Sequence, residues 1–140
     1  MKHTLAITLT AALLALGTAT PALAQTKLEK RYTYTLSNLH LDKQTEARFG
    51  PVLRAYLTER KAANDIFDTV KDKYKAAEKA GTLTDAQAKQ LMEAKLESDQ
   101  KELDAKRKYY PEFLKILKAK KVWYAFDLAG DKMSKIEGKE

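Results

Sequence analysis

Gly81-Thr82-Leu83-Thr84-Asp85-Ala86-Gln87 stops one helix and starts another. Gly81 supplies the left-handed residue that ends a helix without a Cβ penalty. Three residues on, Thr84 is an N-cap and Gln87 stands at N3. The threonine hydroxyl can accept from the Gln87 amide, and the Gln87 side chain can reach back to the Thr84 amide. Asp85 puts a carboxylate in the positive first turn. Upstream, Leu41-Asp42-Lys43-Gln44-Thr45 repeats the logic in blurred form, with Asp42 as the cap and Thr45 as a weak N3 partner. The two starts lie 42 residues apart, a spacing that allows two copies of one helical hairpin.

Working outward from these caps, Ala, Leu, Lys, Glu and Gln dominate, and apolar residues recur at three- and four-residue spacing. That is the pattern of amphipathic helices, and the fold class expected is all-α. The stripes run through Phe49, Val52, Leu53, Tyr56, Leu57, Ala63, Ile66, Phe67, Val70, Tyr74 and Ala77. They continue through Leu91, Met92, Leu96, Leu103, Tyr110, Phe113, Leu114 and Leu117, and then through Val122, Phe126, Ala129, Met133 and Ile136. The stretch Leu28–Leu39 is weaker, and its Tyr32-Thr33-Tyr34-Thr35 alternates with period two. A helix is expected there too, because no partner strand exists elsewhere. Pro51 and Pro111 each either bend a continuous helix or begin a fresh one. A helix from Asp42 to Ala80 would be about 57 Å long, too long for a compact globule of this size, about 35 Å across. An elongated hairpin bundle follows, and thin bundles bury less surface per chain, which favours a dimer.

The chain begins with an address. Met1-Lys2-His3 is basic, Leu5–Gly17 is an apolar run, and Ala22-Leu23-Ala24 fits the small-x-small rule. Residues 1–24 are expected to be a Sec-type signal peptide cleaved between Ala24 and Gln25, with the product in the periplasm. The run is short of the roughly 20 residues that span a bilayer. Residues 25–140 then form a single helical domain.

Composition removes most chemistry. There is no Cys and there are two His in the whole chain, His3 and His40. Thiol nucleophiles, disulfides, iron–sulfur clusters and Cys-based zinc sites are excluded, and no nucleophile–base constellation can be assembled. Acid pairs such as Asp65/Asp68 and Asp99/Glu102 lie on Lys-rich faces and read as solvated ion-pair partners. Neither an enzyme nor a cofactor or metal site is expected. The net charge of +7 is concentrated: residues 106–121 hold seven basic residues and one acidic residue. Six of the twelve aromatics fall between Tyr109 and Phe126. A basic aromatic surface can attract an acidic, loosened chain and then hold its apolar side chains. The candidate contact residues are Lys106, Arg107, Lys108, Tyr109, Tyr110, Phe113, Lys115, Lys118, Lys120, Lys121 and Trp123. In the alternative reading, Phe113, Leu117, Val122 and Phe126 are core and the lysines are their solvated back. Export and the lack of a recognised motif argue against nucleic acid. A membrane surface is the better rival, because Trp123 and Tyr124 beside basic residues suit an anionic leaflet.

Leu83-Thr84-Asp85-Ala86-Gln87 resembles the LTxxQ pattern of the Spy/CpxP family of small periplasmic stress-response proteins, with Leu41, Asp42 and Thr45 in the position of a degenerate first copy. Lys108–Leu117 and Lys121-Val122 are similar to the later helices of that family. The resemblance implies a four-helix chain forming an antiparallel, cradle-shaped dimer. It implies an ATP-independent chaperone of unfolded or partly folded envelope proteins, or a partner of an envelope-stress sensor. Metal-sensing relatives use His-rich termini, which this chain lacks.

Overall fold

The computed structural model describes residues 26–130. The expected leader, its cleavage site, and Met133 and Ile136 lie outside them. Four helices follow in order: α1 (Lys27–Leu39), α2 (Lys43–Ala80), α3 (Asp85–Leu114) and α4 (Ala119–Ala129). No strand occurs among the described residues, and the Tyr32–Thr35 stretch lies inside α1.

The caps form as their chemistry requires. The Gln87 amide donates to Thr84 Oγ1 at 3.2 Å, and the Thr84 amide donates to Gln87 Oε1 at 3.0 Å, closing the capping box. Gly81 is left-handed at φ 68°. Its amide donates to the Glu78 carbonyl, and the Thr82 amide donates to the Ala77 carbonyl at 2.9 Å, the paired bonds of a Schellman stop. At the first cap, Asp42 accepts from the Thr45 amide at 2.9 Å and from the Thr45 hydroxyl at 2.7 Å. Thr45 therefore answers the cap's carboxylate, where a Gln would have reached back to the cap's amide. The two caps begin the two long helices, and α2 and α3 pack on each other as one hairpin instead of opening two separate hairpins. Both prolines lie inside helices, so neither begins a fresh one. Each leaves the carbonyl four residues back, Ala47 or Arg107, without its helical amide partner.

Along α2 the residues turned inward are Phe49, Leu53, Tyr56, Arg60, Ala63, Phe67, Val70, Tyr74 and Ala77, all buried or half-buried. Their spacing alternates between four and three, the 3.5-residue period of a coiled-coil seam. The inward face of α3 is made of smaller groups, Ala94, Ser98 and Ala105, until Tyr109 and Phe113. Large residues on α2 thus meet small ones on α3, so that bulk on one helix is answered by room on the other. This reverses part of the sequence-based expectation. Met92, Leu96, Leu103 and Leu114, read as part of the apolar stripe, are exposed, as is Tyr110, which the sequence also offered as a contact residue.

The base of the hairpin holds the main core. Phe49 and Tyr56 of α2, Tyr109 and Phe113 of α3, and Phe126 of α4 form a run of ring contacts, with centroids 4.9 to 6.4 Å apart. Burial pushes the Tyr56 phenol up to about 12. Helices α1 and α4 pack against this base and against each other. Arg54 of α2 stacks 4.0 Å over the Tyr32 ring and pairs with Glu29, fixing α1. Helix α1 ends at left-handed His40 (φ 48°), and Lys121 of α4 donates to the Leu39 carbonyl beside it. In the distal part of the hairpin, residues 70–95, only Tyr74 and Ala94 are buried.

One cation ties the base together. Arg60, 8% exposed, donates from Nε to Glu102 Oε1 at 2.9 Å and from Nη1 to the Ala129 carbonyl at 2.8 Å. Arg31 of α1 donates to the same Ala129 carbonyl at 3.0 Å. Two guanidinium groups therefore satisfy the orphan carbonyls at the negative end of α4.

Two stability outcomes follow. Arg60→Ala leaves Glu102 and the end of α4 without their buried partner and should cost about 3 kcal/mol, the low end for a broken buried pair because Lys106 still faces Glu102. Thr84→Ala should cost about 1 kcal/mol. Urea unfolding followed by circular dichroism measures both, and the larger loss belongs to Arg60.

Candidate functional site

The basic aromatic segment is divided by the fold into a buried row and an exposed one. Tyr109 and Phe113 belong to the core: Phe113 is fully buried, and the Tyr109 hydroxyl donates to Glu59 Oε1 at 2.8 Å. Burial first, and then the Glu59 carboxylate, raise the Tyr109 phenol above its ordinary value. Neither ring can contact a partner from this position, so both are withdrawn from the candidate contact set. The reason is helical geometry: Tyr109 and Phe113, four apart, share the face turned to α2, whereas Tyr110 lies 100° away.

Tyr110 is 51% exposed and Trp123 is 72% exposed. They stand on α3 and α4 and line one groove of ≈ 560 Å³, with Val122 and Phe126 in its wall and Lys106 and Arg107 on its α3 side. Helix α4 is positioned for this by its own stripe. Val122, Ala125 and Ala129 face inward, which turns Trp123 outward. Lys106 also lies 3.4 Å from Glu102, so its charge sits at the rim of the groove and beside the Arg60 pair.

The remaining lysines do not converge there. Lys108 pairs with Glu59 on α2, and Lys115 pairs with Glu112 at 2.7 Å. Lys118 occupies the N-cap of α4 without a side-chain cap bond, Lys120 is exposed, and Lys121 serves the end of α1. Of the motif residues, Asp42, Thr45, Thr84 and Gln87 make the helix starts, Leu41 packs against the core of the base, and none of the six, Leu83 included, lines this groove. Among the described residues no helix is long and apolar enough to cross a membrane.

Glu102 is the acid whose role the sequence misassigned. Asp65 and Asp99 do pair with exposed lysines one turn away. Glu102 faces buried Arg60, a contact 42 residues away in sequence, which no local spacing reports. Burial pushes its carboxyl up, but the Arg60 hydrogen bond and charge, with Lys106, outweigh this and hold it below the usual carboxylate range. The Lys108 and Tyr109 hydrogen bonds lower Glu59 in the same direction.

No family model matches this chain, and neither a curated protein nor a solved structure is significantly similar to it.

The lowered carboxyls set the pH behaviour. A carboxyl whose folded value lies below its unfolded one stabilises the fold above the ordinary range, near pH 4.3 for Glu, and loses that contribution as pH falls through the folded value. The midpoint of thermal unfolding should therefore hold from pH 7 to about pH 5 and fall steeply below about pH 4. Glu102→Gln should lower the midpoint at pH 7 and flatten the acid limb, as read by melts across the pH range.

Proposed function

We propose that this protein is an ATP-independent holdase of the periplasm that binds unfolded or stress-damaged envelope proteins. The observation that carries the reading is the groove between α3 and α4, in which Trp123 and Tyr110 stand exposed beside the cationic pair Lys106 and Arg107. Exposed aromatics with a polar tip supply large contact area at low entropy cost. The flanking charge draws in acidic, loosened chains from a distance. The groove is apolar and shallow, suited to side chains of varied shape. The secretory character of residues 1–24 and the likeness of Leu83–Gln87 to the Spy/CpxP pattern support the compartment and the class. The chemistry of holding needs no nucleotide, because binding and release follow from burial of the client's own apolar surface as it folds.

The test is an aggregation assay without ATP, using the processed protein and two unrelated clients. Protection of both is expected. The double variant Trp123→Ala/Tyr110→Ala should lose most of it, with unchanged helicity by circular dichroism. Neutralising Lys106 and Arg107 should slow capture and remove its salt sensitivity. Undiminished protection by the aromatic variant rejects the groove. Protection of neither client rejects the holdase and moves the assignment to a dedicated partner of an envelope-stress sensor, recognised by 1:1 binding.

A further inference from the structure

One side of α4 is left open. Ala119, Lys120, Trp123 and Tyr124 are exposed and fall within an arc of about 140° on the helix, opposite the buried Val122, Ala125 and Ala129. Trp123 is 72% exposed and Tyr124 41%. Leu114, the last residue of α3, is exposed beside the link of residues 115–118 that leads into α4. Trp123 divides this side from the groove. Val122 and Phe126, on one flank of it, line the groove, whereas Lys120 and Tyr124 lie on the other flank and, like Leu114 and Lys118, stand outside the groove.

The charge around the open side is unbalanced. Helices α1, α2 and α3 each carry an acid in the first turn, Glu29, Glu46 and Asp85. Helix α4 carries none and opens with Lys118, Lys120 and Lys121. Positive charge at the positive end of a helix is unfavourable. Lys121 is turned to the Leu39 carbonyl and Lys115 to Glu112. Lys118 and Lys120 form no ion pair among the described residues. The acid of α4, Asp127, is half-buried at the far end of the helix.

We propose that this side of α4 seats on an anionic lipid surface. Trp and Tyr rings are apolar in the body and polar at the tip, which suits them to the headgroup boundary of a bilayer. Lysines at the same level are drawn to the negative potential of anionic headgroups. Both signals are needed, because a helix of 11 residues with two exposed rings buries too little apolar area to hold a membrane by itself. A loosened polypeptide is served by the apolar wall of the groove, and that wall is on the other flank of Trp123. An external negative surface also answers the lysines that the fold leaves without an acid. The lipid contact goes beyond the holdase reading, does not rest on it, and shares only Trp123 with the exposed groove aromatics.

Trp123 is the only tryptophan in the chain, so its emission reports on this side of α4. The processed protein is mixed with phosphatidylcholine vesicles, with and without phosphatidylglycerol. It should co-sediment with the anionic vesicles only, its emission should shift to the blue, and raised salt should release it. Lys118→Glu/Lys120→Glu should weaken binding about tenfold or more. The same variant places acid at the start of α4 and should not lower the thermal midpoint, which separates lost lipid binding from lost fold. Lys75→Glu/Lys89→Glu makes the same change of net charge at exposed positions of the distal hairpin and should alter binding by less than about twofold. Binding to neither vesicle, equal binding to both, or equal loss in the two charge variants overturns the proposal. So does anionic binding that leaves the emission of Trp123 unmoved, since the vesicle is then held elsewhere on the chain. The aggregation assay fails separately: a protein that protects clients and ignores vesicles loses only the lipid contact, and one that binds anionic vesicles and protects no client loses only the holdase.

Discussion

Arg60 is the interaction on which the rest of the base depends. It occupies one position of an otherwise apolar seam on α2 and is nearly buried. A cation in that position is costly unless every donor finds an acceptor. Its Nε and Nη1 find their acceptors where Glu102 on α3 and the end of α4 come together. The hairpin register and the docking of the last helix are therefore satisfied by the same side chain. A polar residue at a single seam position is a known means of fixing register at some expense in stability. Arg31 brings α1 to the same carbonyl, so the end of α4 collects contacts from two other helices.

Around that node, packing is governed by unequal partition of size. Helix α2 contributes Phe49, Leu53, Tyr56, Phe67 and Tyr74, and α3 answers over most of its length with Ala94, Ser98 and Ala105. The aromatic cluster appears only where α1 and α4 add further walls. Beyond the base the hairpin runs on as two helices, held by a narrow seam and closed by the Gly81 stop and the Thr84 cap. One consequence of small groups facing inward is that the large apolar groups of α3 face outward.

The site was legible in part. The concentration of charge and aromatics in residues 106–126 is visible in the sequence, and the groove lies there. Which of those rings are available was not visible. Tyr109 and Tyr110 are adjacent and identical, yet one is core and the other groove, because α2 covers only one side of α3. The role of Glu102 was hidden for a similar reason: its nearest lysine is local, and its dominant partner is 42 residues upstream.

Features set by short-range chemistry could be read directly from the residues. The helical class follows from propensity and from the three- and four-residue recurrence of apolar groups, the turn at residues 81–84 from a left-handed glycine and a hydroxyl cap, and the 38-residue length of α2 from the interval between its two end signals. Tertiary structure decided everything that requires choosing between faces of one helix. An amphipathic pattern states that some side must be covered, and α3 carries two sides able to be. The choice was made by steric fit, since the bulky seam of α2 closes on the small-residue side, and by Arg60, which in this arrangement meets both the Glu102 carboxylate and the Ala129 carbonyl.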